Sequence, residues 1–415
     1  MTDLFEKCHG DGGYFGKFRK LGNKYYSQPV LEGPPGTRMK FRGKEVIMWA
    51  INNYLGLTGN EEIRAVARES LERWGTYSPM GSRLLTGNNP RHIEVEAKFA
   101  EYLQKEHAIL FNYGYLGVVG TITSLIGKND QVLIDRLAHA SMIDGAMLAS
   151  VRGRKAIPFR HNDLNHLEDL LKQTRKETDG GILIVTEGVY GMRGDVADLK
   201  GICELKEKYG ARLFVDDAHG FGVVGNQGRG TADLLGVHDQ VDLYFGTFAK
   251  AYAAIGGVMA GDYDPIEWVR YNARTNVFAK TLPMIYADVV ARTMEIIRDG
   301  DHLRERMWTI TRRLQNGLRE LGYDLGDTTT PITPVYVPTG TEEEGAAMIA
   351  FLRDKFGIFV SGVTAPVVPR GVILFRMIPT AAHSEEEVDI TLNAFKAMRD
   401  TMKLDLSLKP SRLNE

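Results

Sequence analysis

Three titratable side chains directly follow strand-like runs of the sequence, and their types suit chemistry on a heteroaromatic ring that carries an aldehyde. Asp216 directly follows the run that begins at Ala211, and His219 comes three residues later. At these positions a carboxylate can pair with a ring nitrogen while the imidazole contacts a ring oxygen. Lys250 ends the run Gly246-Thr-Phe-Ala-Lys250. Because this run is small and apolar, we expect the amine to be partly desolvated, which lowers its pKa and leaves it nucleophilic. Each residue alone is also typical of a helix cap or a surface charge, so the prediction depends on the combination.

A glycine-containing turn is a candidate phosphate site. Asn112-Tyr-Gly-Tyr115 follows a strand-like run that ends at Phe111, and Gly117 and Gly120 lead from it into a helix. Backbone amides at the start of a helix can face a phosphate. The glycine spacing does not match the fingerprint of dinucleotide-binding proteins, and a simple tight turn is the alternative interpretation.

The elements that must position these residues alternate between short apolar runs and helix-length segments. The strand-like runs cover residues 108–111, 131–134, 181–186, 211–215, 241–245 and 257–260. Strands that are apolar on both faces and separated by helices predict an α/β fold with a mostly parallel central sheet covered by helices. Ligands of such sheets bind beyond the carboxyl ends of the strands, which is where the candidate residues fall.

The sequence predicts three segments. Residues 1–58 mix aromatic and basic residues with turns and form an N-terminal arm or small-domain segment. Residues 59–290 hold the alternating pattern and form the large domain. Residues 291–415 combine long helical patterns with strand-like runs at 334–337 and 371–375, which predicts a smaller α+β C-terminal domain.

The order and spacing of these blocks resemble the α-oxoamine synthases, which are fold-type I transferases that use pyridoxal 5'-phosphate (PLP). The resemblance is strongest to bacterial serine palmitoyltransferases and to their cysteate-using, sulfonolipid-forming branch. A lysine for a Schiff base and an acid for the pyridinium nitrogen are what PLP needs to act as an electron sink. The resemblance runs from about residue 45 to about residue 400 and rests on the blocks Asn53-Tyr-Leu-Gly56, Gly81-Ser-Arg83, Asp135 with His139-Ala-Ser141, Thr186-Glu-Gly-Val-Tyr190, Asp216-Asp-Ala-His219, Gly225-Asn-Gln-Gly-Arg-Gly230, Gly246-Thr-Phe-Ala-Lys250 and Arg376 ahead of Ala381-Ala-His383.

This resemblance implies the roles of four catalytic residues. Lys250 carries the Schiff base and acts as general base, and Asp216 pairs with the pyridinium nitrogen. His219 contacts the ring hydroxyl, while His139 stacks on the ring face and helps to orient the substrate. The reaction that the family performs joins the α-carbon of an amino acid to an acyl thioester, with loss of the thiol and of carbon dioxide.

The same resemblance implies which residues bind the phosphate and the substrate. Gly114 and Tyr115 contact the phosphate through their backbone, and Thr247 adds a hydroxyl. Arg376 clamps the carboxylate of the amino acid, for which a guanidinium fork is suited. Asn53 lies where these enzymes approach the substrate.

The family works as a homodimer with shared active sites, and one segment of this chain resembles the part that reaches the neighbour's phosphate. This segment, Phe278-Ala-Lys-Thr-Leu-Pro283, contains Ala279 and Lys280. Lys280 stands where small or hydroxyl residues are common in the family. If it faces the pocket, it favours an amino acid with an anionic side chain, because a partner removes the cost of an unpaired buried ammonium. Serine and cysteate, whose side chain is a sulfonate, are therefore both candidate substrates.

Two further departures from the family pattern remove hydroxyl groups near the predicted cofactor. Ala249 replaces the serine that usually precedes the Schiff-base lysine, and Gly191 replaces a serine that usually follows Val189-Tyr190. Both changes bear on how the substrate and the cofactor are held.

Composition and charge exclude several classes of protein. The 415 residues are 43% hydrophobic and 25% charged, which is typical of globular proteins rather than disordered or fibrous ones. With 51 basic and 53 acidic residues the net charge is -2, so no basic field attracts nucleic acid. Cys8 and Cys203 lack the number and spacing of a disulfide framework or a metal site. We expect no metal, no signal peptide, no membrane-spanning helix and a cytoplasmic location.

The predicted function is the condensation of serine or cysteate with a long-chain acyl thioester, with decarboxylation, to give a 3-keto sphingoid or sulfonolipid base. The alternatives are a glycine C-acetyltransferase or 8-amino-7-oxononanoate synthase, and, less favoured, a PLP aminotransferase. Acyl-CoA and acyl carrier protein both remain candidate donors, as does contact with a membrane surface. Arg152, Arg154 and Lys155 are candidates for a carrier-protein dock.

Overall fold

The computed structural model describes residues 3–10, 13, 16, 28–77 and 79–409. It divides the chain into two compact units. Unit 1 comprises Met1–Asn52, Met192–Gly194 and Glu305–Glu415, and unit 2 comprises Asn53–Gly191 and Asp195–Arg304. The sequence instead placed boundaries after residues 58 and 290. Most of residues 1–27 of the predicted arm, and residues 410–415, lie outside the described residues.

The helices and strands alternate as the apolar pattern predicts. In chain order the strands are β1 (Leu31–Glu32), β2 (Arg38–Phe41), β3 (Lys44–Met48), β4 (His107–Phe111), β5 (Gln131–Asp135), β6 (Ile157–Phe159), β7 (Ile182–Glu187), β8 (Arg212–Asp216), β9 (Leu243–Thr247), β10 (Gly257–Gly261), β11 (Thr333–Tyr336), β12 (Ile358–Phe359), β13 (Ser361–Val363) and β14 (Leu374–Met377). The α-helices are α1 (Glu61–Trp74), α2 (Pro90–Tyr102), α3 (Gly114–Leu125), α4 (Ala140–Ala149), α5 (Leu164–Glu177), α6 (Leu199–Tyr209), α7 (Thr231–Leu234), α8 (Tyr263–Asn272), α9 (Arg274–Val277), α10 (Met284–Arg298), α11 (Asp301–Glu320), α12 (Glu342–Phe356) and α13 (Glu385–Met402). Short 3-10 helices lie at Glu6–Cys8, Leu57–Gly59, Asn226–Gly228 and His238–Gln240.

Unit 2 is built on a central sheet whose strand order, within the described residues, is β4-β10-β9-β8-β7-β5-β6. The pairs from β9 to β6 are parallel, whereas β10 lies antiparallel to both β4 and β9. Every residue of β5, β7 and β9 is buried, which is why these segments read as continuous apolar runs. The predicted fold-type I α/β fold, with a mostly parallel sheet, is confirmed.

The helices of unit 2 pack against this sheet and begin at recognisable caps. Asn60 accepts hydrogen bonds from the first turn of α1, and Asp163 does the same for α5. One face of the sheet buries a cluster that includes Phe111, Val185 and Phe214 together with residues of α3 and α4. This packing fixes the strand ends that carry the candidate site.

Unit 1 contains two smaller sheets. Strands β1, β2 and β3 form a meander to which β12 adds in parallel, and β14 pairs with β11 and β13 in antiparallel fashion. Its core includes Trp49, Leu314, Leu352, Phe375 and Phe395. Helix α13 begins with a capping box formed by Ser384 and Glu387, as a serine followed three residues later by a glutamate predicts. The unit is therefore α+β, in agreement with the sequence pattern.

The described residues contain no helix that is long and apolar enough to cross a membrane. Within the same residues no group of His, Cys, Asp and Glu side chains is arranged to hold a metal ion.

Candidate active site

The carboxyl ends of the parallel strands of unit 2 bring polar side chains to one edge of the sheet. Strand β5 ends at Asp135, β7 at Glu187, β8 at Asp216 and β9 at Thr247. Glu187 and Asp216 are register partners, so two carboxyl groups lie side by side. This edge is where the topology of an α/β sheet predicts a ligand site.

Asp216 is a buried carboxylate with hydrogen-bonding capacity to spare. Its side chain is almost fully buried, and among the described residues its recorded hydrogen bond is the one it accepts from the Ala218 N–H at 3.1 Å. Burial raises the pKa of Asp216, and the nearby charges of Lys250 and His139 partly offset that rise. A buried acid of this kind fits the nitrogen of a cationic ring.

The adjacent acid, Asp217, is fully occupied by the protein itself. It accepts hydrogen bonds from the backbone and hydroxyl of Thr231, both at 2.6 Å, and from the hydroxyl of Tyr244 at 2.7 Å. Burial raises the pKa of Asp217 to about 6 against these hydrogen bonds. Of the two neighbouring acids, only Asp216 is therefore placed to meet a ligand.

Lys250 lies three residues beyond the end of β9 and is half-buried. Its charge opposes the rise that burial causes in the pKa of Asp216 and of Glu187, and it adds to the lowering of the pKa of His139. The structure thus brings Lys250, Asp216 and His139 within electrostatic reach of one another, as the sequence predicts.

His139 caps helix α4 and is exposed in the single chain. Its Nδ1 lies 2.8 Å from the Ser141 hydroxyl, and its ring meets the Tyr115 ring edge-on at a centroid distance of 6.4 Å. Partial burial of the ring lowers the pKa of His139, and Lys250 adds to this effect while Asp216 opposes it. The exposed imidazole of His139 is suited to stacking on a flat ligand.

His219 is buried and held by the hydroxyl of Tyr54. The Tyr54 hydroxyl and His219 Nδ1 are 2.8 Å apart. On the other side of the ring, a Cβ atom added to Gly191 would come within 2.3 Å of His219 Nε2. The glycine that replaces the usual serine at 191 therefore makes room for the imidazole.

The start of helix α3 forms the candidate phosphate site. A Cβ atom on Gly114 would lie 3.1 Å from the Thr247 hydroxyl, so the first turn of the helix and Thr247 are adjacent. Tyr113, the residue before the helix, makes no side-chain hydrogen bond that caps the turn. The Tyr115 side chain points away to donate to Asp144, which leaves its backbone as the group to face a phosphate. The turn thus brings the predicted phosphate contacts Gly114 and Thr247 together.

Ala279 and Lys280 lie in the segment after α9. The carbonyl of Ala279 accepts from the Arg83 N–H at 3.1 Å, and the carbonyl of Lys280 accepts from the Asn112 side chain. These contacts tie the segment to the turn that precedes α3. The Lys280 side chain is exposed in the single chain. The predicted preference for an anionic substrate assumed a buried ammonium, and the single chain does not bury it.

In unit 1 the predicted carboxylate clamp, Arg376, is buried and oriented by a neighbour that the sequence analysis did not name. Arg376 Nη2 donates to Asn52 Oδ1 at 2.9 Å. Asn53, which was predicted to approach the substrate, belongs to unit 2 and pairs with Thr58, donating to its hydroxyl at 2.9 Å and accepting from its N–H at 3.3 Å. The sequence analysis named Asn53 for its place in the family pattern and predicted no partner for Arg376.

A buried histidine near this edge also went unrecognised in the sequence. His161 Nδ1 lies 3.1 Å from Asp135 and its Nε2 lies 2.8 Å from Asp195. Burial lowers the pKa of His161, but the two carboxylates outweigh that effect and raise it to about 9. The resulting ion pairs tie together the segments that lead to His139 and Gly191. An acid at the end of β5 with a histidine just after β6 was the available signal.

The chain is similar to known proteins over nearly its whole length. Residues 44–395 match the family described as aminotransferase class I and II. A cysteate-C-fatty acyltransferase from Capnocytophaga ochracea is 44% identical over 406 residues, covering 97% of this chain and 96% of that protein. An 8-amino-7-oxononanoate synthase from Alkaliphilus metalliredigens is 37% identical over 392 residues, covering 94% of this chain and 97% of that protein. The solved structure of a serine palmitoyltransferase variant from S. paucimobilis with a bound PLP-myriocin aldimine has a TM-score of 0.88 and 30% identity, covering 97% of this chain and 100% of that chain.

Proposed function

The chain belongs to the aminotransferase class I and II family and, within it, to the α-oxoamine synthases, and we propose that it is the member that joins cysteate to a fatty acyl group. It is a PLP-dependent C-acyltransferase, an enzyme that condenses an amino acid with an acyl donor. One observation carries the choice of cysteate. The cysteate-C-fatty acyltransferase relative is 44% identical over nearly the whole chain, compared with 37% for the 8-amino-7-oxononanoate synthase.

The residues of unit 2 fit PLP. Asp216 would pair with the pyridine nitrogen, since it is a buried carboxylate with a neighbouring cation and remaining capacity to accept a hydrogen bond. Gly114, the Tyr115 backbone and Thr247 would hold the phosphate. When bound, PLP withdraws electrons from the α-carbon of an attached amino acid and so makes the α-proton acidic.

The remaining roles belong to amines, imidazoles and guanidinium groups of this chain. Lys250 would supply the amine that holds the aldehyde, and its Nζ would serve as the general base that accepts a proton from the substrate. His139 would stack on the ring, and His219 would donate a hydrogen bond to the ring oxygen. Arg376, oriented by Asn52, binds the α-carboxylate through its guanidinium fork. The products are a 3-keto amine, the free thiol and carbon dioxide.

The preference for an anionic side chain is assigned to Lys280. Cysteate differs from serine by a sulfonate in place of the hydroxyl, and a nearby ammonium attracts that charge. Because Lys280 is exposed in the single chain, we place its contribution in the assembled homodimer, where the segment 278–283 completes a neighbouring site. A charge-assisted contact of this kind changes a substrate preference by about tenfold.

The homodimer is supported by an apolar surface around the candidate phosphate site. Helices α3 and α4 pack together, and the surface that they share exposes Tyr115, Leu116, Ile143 and Met147. Exposed apolar patches of this kind mark protein interfaces. The acyl donor is a fatty acyl thioester of either coenzyme A or acyl carrier protein.

The proposed function is tested by offering the purified protein cysteate, serine, glycine and alanine with a palmitoyl thioester and identifying the product by mass spectrometry. We expect the highest kcat/KM with cysteate. Serine, glycine or alanine as the preferred substrate would contradict the proposal and favour another branch of the family. In Lys280→Ala the preference for cysteate over serine should fall about tenfold, whereas the exposed Lys128, replaced by alanine, should leave it unchanged. Full retention of the preference in Lys280→Ala would remove Lys280 from the explanation.

A further inference from the structure

His219 is held in one orientation by a buried tyrosine that none of the preceding roles includes. Tyr54 is fully buried, His219 is 8% exposed, and the Tyr54 hydroxyl lies 2.8 Å from His219 Nδ1. The two rings are nearly perpendicular, at 86°, with centroids 6.1 Å apart. This edge-on arrangement directs the phenolic hydroxyl at the plane of the imidazole.

The opposite side of the imidazole is bounded by a position without a side chain. A Cβ atom on Gly191 would lie 2.3 Å from Nε2 and 2.7 Å from Cδ2 of His219. Gly191 is itself anchored, since its N–H donates to Glu187 Oε2 at 3.3 Å. Hence the Tyr54 hydroxyl fixes one nitrogen of the ring, and the backbone of Gly191 accommodates the other.

A neutral imidazole has one donor nitrogen and one acceptor nitrogen, and the partner of one decides the role of the other. The ring oxygen of PLP accepts hydrogen bonds, so His219 serves it only if Nε2 carries the hydrogen. In a neutral ring, Nε2 carries the hydrogen when Nδ1 accepts a hydrogen bond from another group. A phenolic hydroxyl held 2.8 Å from Nδ1 can supply that donated bond.

We propose that Tyr54 is a positioning residue whose hydroxyl donates a hydrogen bond to His219 Nδ1. This bond keeps the hydrogen of the neutral imidazole on Nε2, which can then donate to the PLP ring oxygen. The inference rests on the proposed function, because it assigns a role toward PLP. It goes beyond that function in naming the group that selects the tautomer of His219.

The first test determines the tautomer of His219 directly in the wild-type protein. In protein labelled with [15N]histidine and loaded with PLP, the signals of His219 are assigned by their loss in His219→Ala. We expect Nδ1 to show the chemical shift of an unprotonated acceptor and Nε2 that of a nitrogen bearing hydrogen. The reverse assignment would overturn the proposal.

The second test measures the dissociation constant of PLP by equilibrium dialysis. Tyr54→Phe deletes the hydroxyl and keeps the ring, and we expect PLP to bind about fivefold more weakly, as for the loss of one hydrogen bond. Tyr323→Phe is the matched control, since it deletes a buried hydroxyl bonded at the same 2.8 Å, to the Phe395 carbonyl in unit 1. In the His219→Ala background, Tyr54→Phe should have no further effect.

The outcomes separate this inference from the proposed function. Wild-type protein that binds no PLP contradicts the proposed function itself. Wild-type protein that binds PLP, combined with a Tyr54→Phe variant whose affinity stays within twofold, contradicts only the role of Tyr54. An undiminished effect of Tyr54→Phe without His219 also overturns the inference, because Tyr54 then acts through another group.

Discussion

Replacing His161 with glutamine should destabilise unit 2 in a strongly pH-dependent way. Burial alone would lower the pKa of this histidine, but the carboxylates of Asp135 and Asp195 raise it from 6.5 to about 9. Since the folded protein binds this proton more tightly than the unfolded chain, the stabilisation is complete below about pH 6.5 and is lost as the pH rises through 9. A shift of this size corresponds to about 3 kcal/mol at pH 6.5 and to less than about 1 kcal/mol at pH 9.

The assay is urea denaturation of PLP-loaded protein, at one protein concentration, at several pH values from 6.5 to 9. The free energy of unfolding of His161→Gln should lie about 3 kcal/mol below that of the wild type at pH 6.5, and the two should converge towards pH 9. The control is His107→Gln, in the same unit, because His107 is partly exposed and pairs only with Glu267, at 3.0 Å, among the ion pairs of the described residues. That change should cost about 0–1 kcal/mol. Equal pH slopes for His161→Gln and the wild type would refute the reasoning.

Three further outcomes follow from the site. Lys250→Ala should abolish the visible absorbance of bound PLP and lower kcat by at least about a thousandfold, as expected when a nucleophile and general base is lost; spectra and rates of the folded variant check this. Asn52→Ala removes a hydrogen-bond partner of Arg376 and should raise KM for the amino acid about fivefold, with little change in kcat, in a steady-state assay. Asp217→Asn should lower the free energy of unfolding by about 2–4 kcal/mol, measured by urea denaturation, because an amide cannot accept all three buried hydrogen bonds.

The sequence predicted the large unit well because its strands are apolar on both faces. Strands β5, β7, β8 and β9 were all recognised within a residue or two of their ends. Strands β1 to β3 were not recognised, since they are short and rich in charged residues. The boundary after residue 290 was placed within α10, whereas the structure keeps that helix whole within unit 2. The boundary between the two units depends on long-range packing, which local sequence patterns do not predict.

The sequence predicts the positions of candidate residues that lie at strand ends. It does not predict the positions that depend on contacts between distant parts of the chain. Lys250, Asp216 and His139 follow strand ends, and the topology brings strand ends together. The pairing of Arg376 with Asn52 is a hydrogen bond between residues more than 300 positions apart, so no local pattern could predict it. The exposure of Lys280 likewise depends on the surface to which its segment is tied.

The pair Asp216-Asp217 illustrates how one residue type can take opposite roles at adjacent positions. Successive side chains of a strand point to opposite faces of the sheet, and the backbone of Asp217 still pairs with the Phe245 carbonyl of β9. One carboxylate must therefore point to the side of Thr231 and Tyr244, where it accepts three hydrogen bonds, while the other points away from them. The hydrogen bonds of Asp217 thereby fix the end of strand β8, from which the side chain of Asp216 projects. Removing the carboxylate of Asp217 should consequently weaken PLP binding through Asp216 as well as the fold, although the Asp217 carboxylate itself bonds to Thr231 and Tyr244.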